Sequence, residues 1–256
     1  MEQLPRAKSY LRRERELWRE RSLGFLAAVR IRFLTTQHFF DRPSFDYQPL
    51  PWLGFKSAAV RGVGTEHRWQ LINTSLPQGV SSLKDVGCCV GFFCHKFVEE
   101  RGGYSIGIDH NENFIEIANR VRYVAALESA ESFVSMKVTP TSVRLLPHTQ
   151  VTLLLSIWHH WVRDFGLAQA SSMLESVWNS STEFLFFESG EEEVADEFNL
   201  PFVDGAREWI TSYLTKLFPE AEISVVGESN VGQYGHYGEA IGAKRGLFML
   251  RRTSLA

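Results

Sequence analysis

The chain lacks any long hydrophobic run. No stretch reaches the roughly 18 apolar residues that a membrane-crossing helix needs. The opening MEQLPRAKSYLRRERELW holds no apolar core of a secretory signal. Cysteine is scarce, with three residues in 256, all between positions 88 and 94. That is no disulfide framework, and a reducing, cytoplasmic compartment is the expectation. No C-x-x-C pair occurs and Cys88 adjoins Cys89, so zinc spacing is missing and no metal is expected. An excess of positive charge is missing too. The formal net charge of −3 argues against a basic nucleic-acid binder taken as a whole. There is no internal repeat and no low-complexity tract.

What is present is ordinary for a globular protein: 44% hydrophobic and 22% charged residues. Charge is unevenly spread. Residues 6–33 are rich in arginine and carry Leu11, Leu17, Trp18, Leu23, Leu26 and Phe33 as an apolar set. Such a basic amphipathic helix suits a membrane surface or a partner, or packs on its own domain with its charges solvated. Residues 1–60 are read as an N-terminal helical extension and 61–256 as the main domain. Within the extension, residues 37–53 are aromatic and proline-bearing and read as an irregular connector.

From residue 64 the pattern alternates. GTEHRWQLINTS reads as a helix, SLKDV as a strand, and FFCHKFVEER as a helix ending at Gly102–Gly103. YSIGID is a strand and NFIEIANRVRYVAAL a helix with Phe114, Ile117, Ala118, Val121 and Ala125 on one face. SFVSMKV is a strand, and VTLLLSIW, apolar on both faces, is a central parallel strand. GLAQASSMLESVWNS is a helix, TEFLFFES a strand, and AREWITSYLTKLF a helix beginning near Asp204. EISVVGE and RGLFMLRR close the chain as strands, joined by a Gly- and Tyr-rich connection over 227–246. The class is α/β, a doubly wound seven-stranded sheet.

In such a sheet, ligands lie beyond the carboxyl ends of the strands. The first strand-to-helix turn is Asp85-Val-Gly87-Cys88-Cys89-Val-Gly91. Gly87 permits a sharp turn and Gly91 a close approach to a ligand. The dinucleotide spacing G-x-G-x-x-G is absent. Asp85 repels a pyrophosphate and suits a cationic ligand bearing an amino group and a sulfonium. Asp109, 24 residues on, is placed to take the two hydroxyls of a ribose.

DVGCCVGFF, GIDHNENFIEIA, LLPHTQVTLLLSIWHHW and LFFESGEE, in this order, resemble the class I S-adenosylmethionine-dependent methyltransferases. The resemblance covers roughly residues 61–252 and implies S-adenosyl-L-methionine as cofactor and S-adenosyl-L-homocysteine as product. It would set Asp85, Gly87, Cys88, Cys89 and Gly91 against the methionine part and Asp109 with His110 at the ribose. Thr139 or Pro140 would flank the adenine, and Ser156 would complete the set. The chain departs from the family in having no acid in the adenine loop and no Asp before the fourth strand.

The ending Ser-x-x-His-His of strand four, followed by a strand ending Phe-Glu, is similar to methyltransferase domains that act on bacterial surface glycans. A weaker likeness runs to enzymes of the tRNA wobble uridine. The implied reaction is direct in-line O-methylation of a glycan, sugar phosphate or other small molecule. The alternatives are tRNA methylation, or an inactive cofactor-binding subunit. A homodimer is a further expectation.

For the acceptor, His160 and His159 follow strand four, where a base is needed for a hydroxyl. One of them alternatively caps the next helix or packs under the adenine. Glu188 is placed to bind the acceptor or orient a histidine, and is otherwise an exposed loop acid. Tyr234, His236, Tyr237, Lys244 and Arg245 suit a sugar or phosphate, or else belong to a surface hairpin. Arg61 and Arg68 suit an anion: the cofactor carboxylate or the acceptor.

Overall fold

A computed structural model describes residues 48–53, 60–191, 194–202, 205–234 and 240–253, without the side chains of 53, 60–63 and 230–243. The arginine-rich segment of residues 6–33 lies outside this set. So do Asp204, His236 and Tyr237, and for Arg61 and Tyr234 only the backbone is described.

Seven strands form one sheet: β1 Ser82–Val86, β2 Tyr104–Asp109, β3 Glu131–Ser135, β4 Thr149–Leu155, β5 Ser181–Glu188, β6 Ala221–Tyr234 and β7 Ala240–Arg252. Their order is β3-β2-β1-β4-β5-β7-β6. The first five are mutually parallel, and β7 runs antiparallel to both β5 and β6. The order reverses between β1 and β4. At that switch point the two outgoing connections diverge and leave a crevice above the strand ends.

The helices are α1 Val60–Ser75, α2 Phe92–Arg101, α3 Glu112–Val124, α4 Trp158–Phe165, α5 Leu167–Asn179, α6 Ala195–Phe198 and α7 Ala206–Leu217. Apolar residues on both faces of the central strands bury two cores. On one face Val86, Ile108, Leu154, Leu185 and Phe248 meet α4, α5 and α7. On the other, Leu83, Leu153, Phe186 and Leu247 meet α1 and α2. Lys84 interrupts β1 and is fully buried. Its Nζ donates to Pro147 O, Ser180 O and Ser180 Oγ at 2.7–2.9 Å. Three acceptors match the three N–H bonds of an ammonium, although burial pulls its pKa down to about 7.

Three parts differ from the sequence reading. SIWHHWVRDF leaves the strand after Leu155 and becomes α4, since Ser156 takes a left-handed φ of 60°. The Gly- and Tyr-rich stretch is mostly strand: β6 and β7 pair from Ala221↔Arg252 to Tyr234↔Ala240, far beyond the span β7 shares with β5. The connector residues 48–53 pack on the domain, with Leu50 fully buried against Cys89, Val90, Ile117 and Val121.

Candidate functional site

The turn after β1 is built on positive backbone angles: φ is 84° at Gly87, 52° at Cys89 and 83° at Gly91. A side chain at Gly87 would strike Ile157, and one at Gly91 would strike Phe133. The glycines are thus required twice, by angle and by space. Cys89 holds a left-handed angle without being glycine. Its N–H donates to Asp109 Oδ2 at 2.9 Å, which ties the turn to the end of β2. Asp109 Oδ1 takes Asn111 N–H at 2.9 Å. Each oxygen keeps lone-pair capacity for a hydroxyl. His110, beside it, is largely exposed, with Nδ1 3.5 Å from Asp109 Oδ1.

Asp85 is buried, and its Oδ2 has no hydrogen-bond partner among the described residues. Burial, reinforced by the charge of Asp109 and opposed by that of Arg68, raises its pKa from 3.8 to about 8. A buried acid with an open oxygen, beside a second acid, is a site short of one positive charge. The three cysteines are free thiols, all buried. Burial raises the pKa of each, and Cys89 is the least buried of the three. No thiolate nucleophile or disulfide is built here. Among the described residues no His, Cys, Asp or Glu cluster could hold a metal ion.

Two strands along from β1, Glu188 ends β5 fully buried. It is therefore no exposed loop acid. Its Oε1 accepts from Arg68 Nη1 at 3.0 Å and Ser156 Oγ at 2.6 Å, and its Oε2 from Ser229 Oγ at 2.8 Å. Arg245 Nη1 donates to Ser156 Oγ at 2.9 Å. Ser156 and Glu188 are the centre of a polar network that joins α1, β4, β5, β6 and β7. Ser229 carried no sequence signal, because its partner is 41 residues away.

The two histidines separate in role. His159 is buried, and its Nδ1 accepts the Gly190 N–H at 2.9 Å. Its neutral ring therefore carries the proton on Nε2 and offers no lone pair there. Burial, then Arg245 and His160, push its pKa well below the usual value. His160 is half-buried. It lies over His159 at 4.5 Å and meets the edge of Phe198 at 4.9 Å. Burial, then Arg163, lower its pKa to about 4, with Arg245 and His110 adding to the effect and Asp164 opposing it. His160 is neutral at pH 7 and weakly basic. Thr139 sits in a tight turn where its hydroxyl and amide both bond Ser142.

The structure thus gathers Asp85, Gly87, Cys88, Cys89, Gly91, Asp109 and His110 at one strand-end turn. It gathers Ser156, Glu188, His159 and Arg245 around the next, with the His160 ring against His159 at a tilt of 35°. Phe198, which holds both histidines, gave no sign in the sequence because α6 is a single turn in a polar stretch.

No protein-family model matches the chain, and no curated protein matches it. Solved structures do. A structure of the bifunctional kinase-methyltransferase WbdD superposes with a TM-score of 0.62 at 19% identity, over 86% of this chain and 45% of that one. A higher-resolution WbdD structure gives 0.60 at 18%. Magnesium protoporphyrin IX methyltransferase (ChlM) from Synechocystis PCC 6803, with bound SAH, gives 0.52 at 15% identity, over 76% of this chain and 85% of that one. The chain spans less than half the length of the WbdD chain. The fold is the seven-stranded Rossmann-like fold of class I methyltransferases.

Proposed function

We propose that the chain is an S-adenosyl-L-methionine-dependent methyltransferase acting on an acceptor oxygen that is already ionised, in a sugar phosphate or in a carboxylate of a glycan or small molecule. The observation that carries the cofactor reading is Asp85: a buried carboxylate oxygen without a partner among the described residues, in a glycine turn beside Asp109. An amino group next to a sulfonium supplies the missing positive charge there. Asp109 would take the ribose hydroxyls. When bound, S-adenosylmethionine supplies a methyl group activated by positive sulfur.

The acceptor reading rests on what the candidate bases are doing. The Nδ1 lone pair of His159 is used by Gly190 N–H. Glu188 is consumed by Arg68, Ser156 and Ser229. His160 is too weak a base, at about 4, to remove a proton from an alcohol. A phosphate or carboxylate oxygen needs no such step, and the guanidinium groups of Arg163 and Arg245 near His160 favour an anion. His160 then positions the acceptor, through a hydrogen bond from its N–H.

The test is release of S-adenosylhomocysteine with matched acceptors: sugar phosphates and sugar acids against the same sugars without the charged group. Turnover confined to the charged set supports the reading. Turnover on neutral sugars that is lost in His160→Asn contradicts the acceptor assignment. Cofactor binding without turnover on any acceptor, tRNA included, would mark a cofactor-binding subunit instead.

A further inference from the structure

Helix α2, which follows the glycine turn, starts without a cap of its own. Its N-cap is Gly91, and the first N–H groups of a helix need acceptors from elsewhere. Phe92 N–H finds one in Gln48 Oε1 at 3.3 Å, 44 residues earlier in the chain. Gln48 is 4% exposed. Leu50 follows, sealed against Cys89 and Val90 of the turn and against Ile117 and Val121 of α3. Trp52 then meets Phe92 at 6.0 Å and His95, edge on, at 4.9 Å. His95 is itself fully buried, with Nδ1 2.8 Å from Glu131 Oε2. A Cβ at Gly91 would lie 3.0 Å from His95 Nε2. Pro49 and Pro51 stiffen this segment, which lowers the entropy lost in holding it.

We infer that residues 48–52 are a strap belonging to the cofactor site, with Gln48 as a positioning residue for the glycine turn. This rests on the cofactor reading proposed above. Between Gly87 and Gly91, Cys89 holds a left-handed φ of 52° without being glycine, and such a residue persists only where the surroundings over-determine it. On the inner side the turn is held by Ile157, Phe133 and the bond from Cys89 N–H to Asp109. On the outer side it is held by Gln48, Leu50 and Trp52. Loss of the outer contacts frees Cys89–Gly91, and with them the bond that orients the Asp109 carboxylate.

The experiment uses the full chain with Gln48→Leu, which keeps the size and removes the acceptor, and Gln48→Glu, which keeps an acceptor. Glu220→Gln is the control. It weakens the bond to Trp178 Nε1 far from the site. Two quantities are read for each: the Kd of S-adenosylhomocysteine and hydrogen exchange across residues 86–95. Gln48→Leu is expected to raise Kd about five- to tenfold, the equivalent of one lost hydrogen bond, and to speed exchange. Gln48→Glu is expected to restore both to within about twofold, since a carboxylate also suits a helix N-terminus. Glu220→Gln should lower Tm and move neither. A Gln48→Leu protein with lowered Tm, unchanged Kd and unchanged exchange would overturn the strap. If the wild-type chain does not bind S-adenosylhomocysteine, the cofactor reading fails. The exchange data then decide the strap alone, faster exchange in Gln48→Leu supporting it and unchanged exchange overturning it.

Discussion

A buried carboxylate with an open oxygen prefers to keep its proton, and Asp85 does so up to about pH 8. Binding a cation beside it requires that proton to leave. Affinity for S-adenosylmethionine should therefore rise with pH, by about tenfold per unit below pH 8, and level off above it. Calorimetry in buffers of different ionisation enthalpy checks this through the proton released. Asp85→Asn should bind more weakly and show no such slope. At Cys89 a φ of 52° costs a non-glycine residue about 1 kcal/mol. Cys89→Gly should keep cofactor binding but lower stability somewhat, because the lost packing against Leu50 and the extra freedom of glycine when unfolded outweigh the relief of strain. Thermal melts and the Kd of S-adenosylhomocysteine measure both. These residues were legible in the sequence because a turn of this kind needs its glycines and acids at fixed local spacing. The roles of His159 and Glu188 were not legible. They depend on Gly190 and Arg68, which lie 31 and 120 residues away.

Among the elements, Gly190 and Phe198 are each tied to α4. His159 holds Gly190 N–H, and Phe198 stands edge-on to both histidines with Arg163 over its face at 5.0 Å. His159→Leu leaves that buried N–H without its acceptor and should cost about 1–3 kcal/mol. Limited proteolysis should then cut between residues 190 and 200, while the Kd of the cofactor stays near its wild-type value. The Arg68–Glu188 pair joins α1 to β5 in a nearly dry setting. Arg68→Met strands the buried carboxylate and should cost about 3–5 kcal/mol, read by chemical denaturation. A neutral Arg68→Met/Glu188→Gln pair should recover much of that. Strands β1, β4 and β5 could be read from the sequence because their apolar residues sit on both faces, and β2 because Tyr104, Ile106 and Ile108 alternate with Ser105, Gly107 and Asp109. Helix α4 could not, since SIWHHW continues the apolar run of β4 and only the left-handed turn at Ser156 divides them. The length of the β6–β7 ribbon was hidden for the opposite reason. Its glycines read as a loop, yet Gly232 and Gly242 lie opposite each other in the ladder.

At the scale of the whole molecule, the sheet brings the β1 turn, the β2 acid and the β4–β5 polar network to one edge. It does so because β1 and β4 are neighbours whose connections diverge. That arrangement gathers Asp85 and Asp109 before any cofactor compensates them. For Asp85 the folded pKa lies above the unfolded one, so its contribution to stability is complete below about pH 4 and is lost as pH rises through about 8. Asp85→Asn should therefore raise the Tm of the ligand-free protein more at pH 8.5 than at pH 5. The cofactor, in contrast, should stabilise the wild-type chain most at pH 8.5. Cofactor binding itself is decided by calorimetric titration of S-adenosylhomocysteine into the wild-type chain and into Asp109→Ala. Binding to the wild type should be saturable and one-to-one, and weakened by about 10- to 100-fold in Asp109→Ala, as loss of hydrogen bonds to a charged group implies. No binding to the wild type, or equal binding to both, would contradict the cofactor reading.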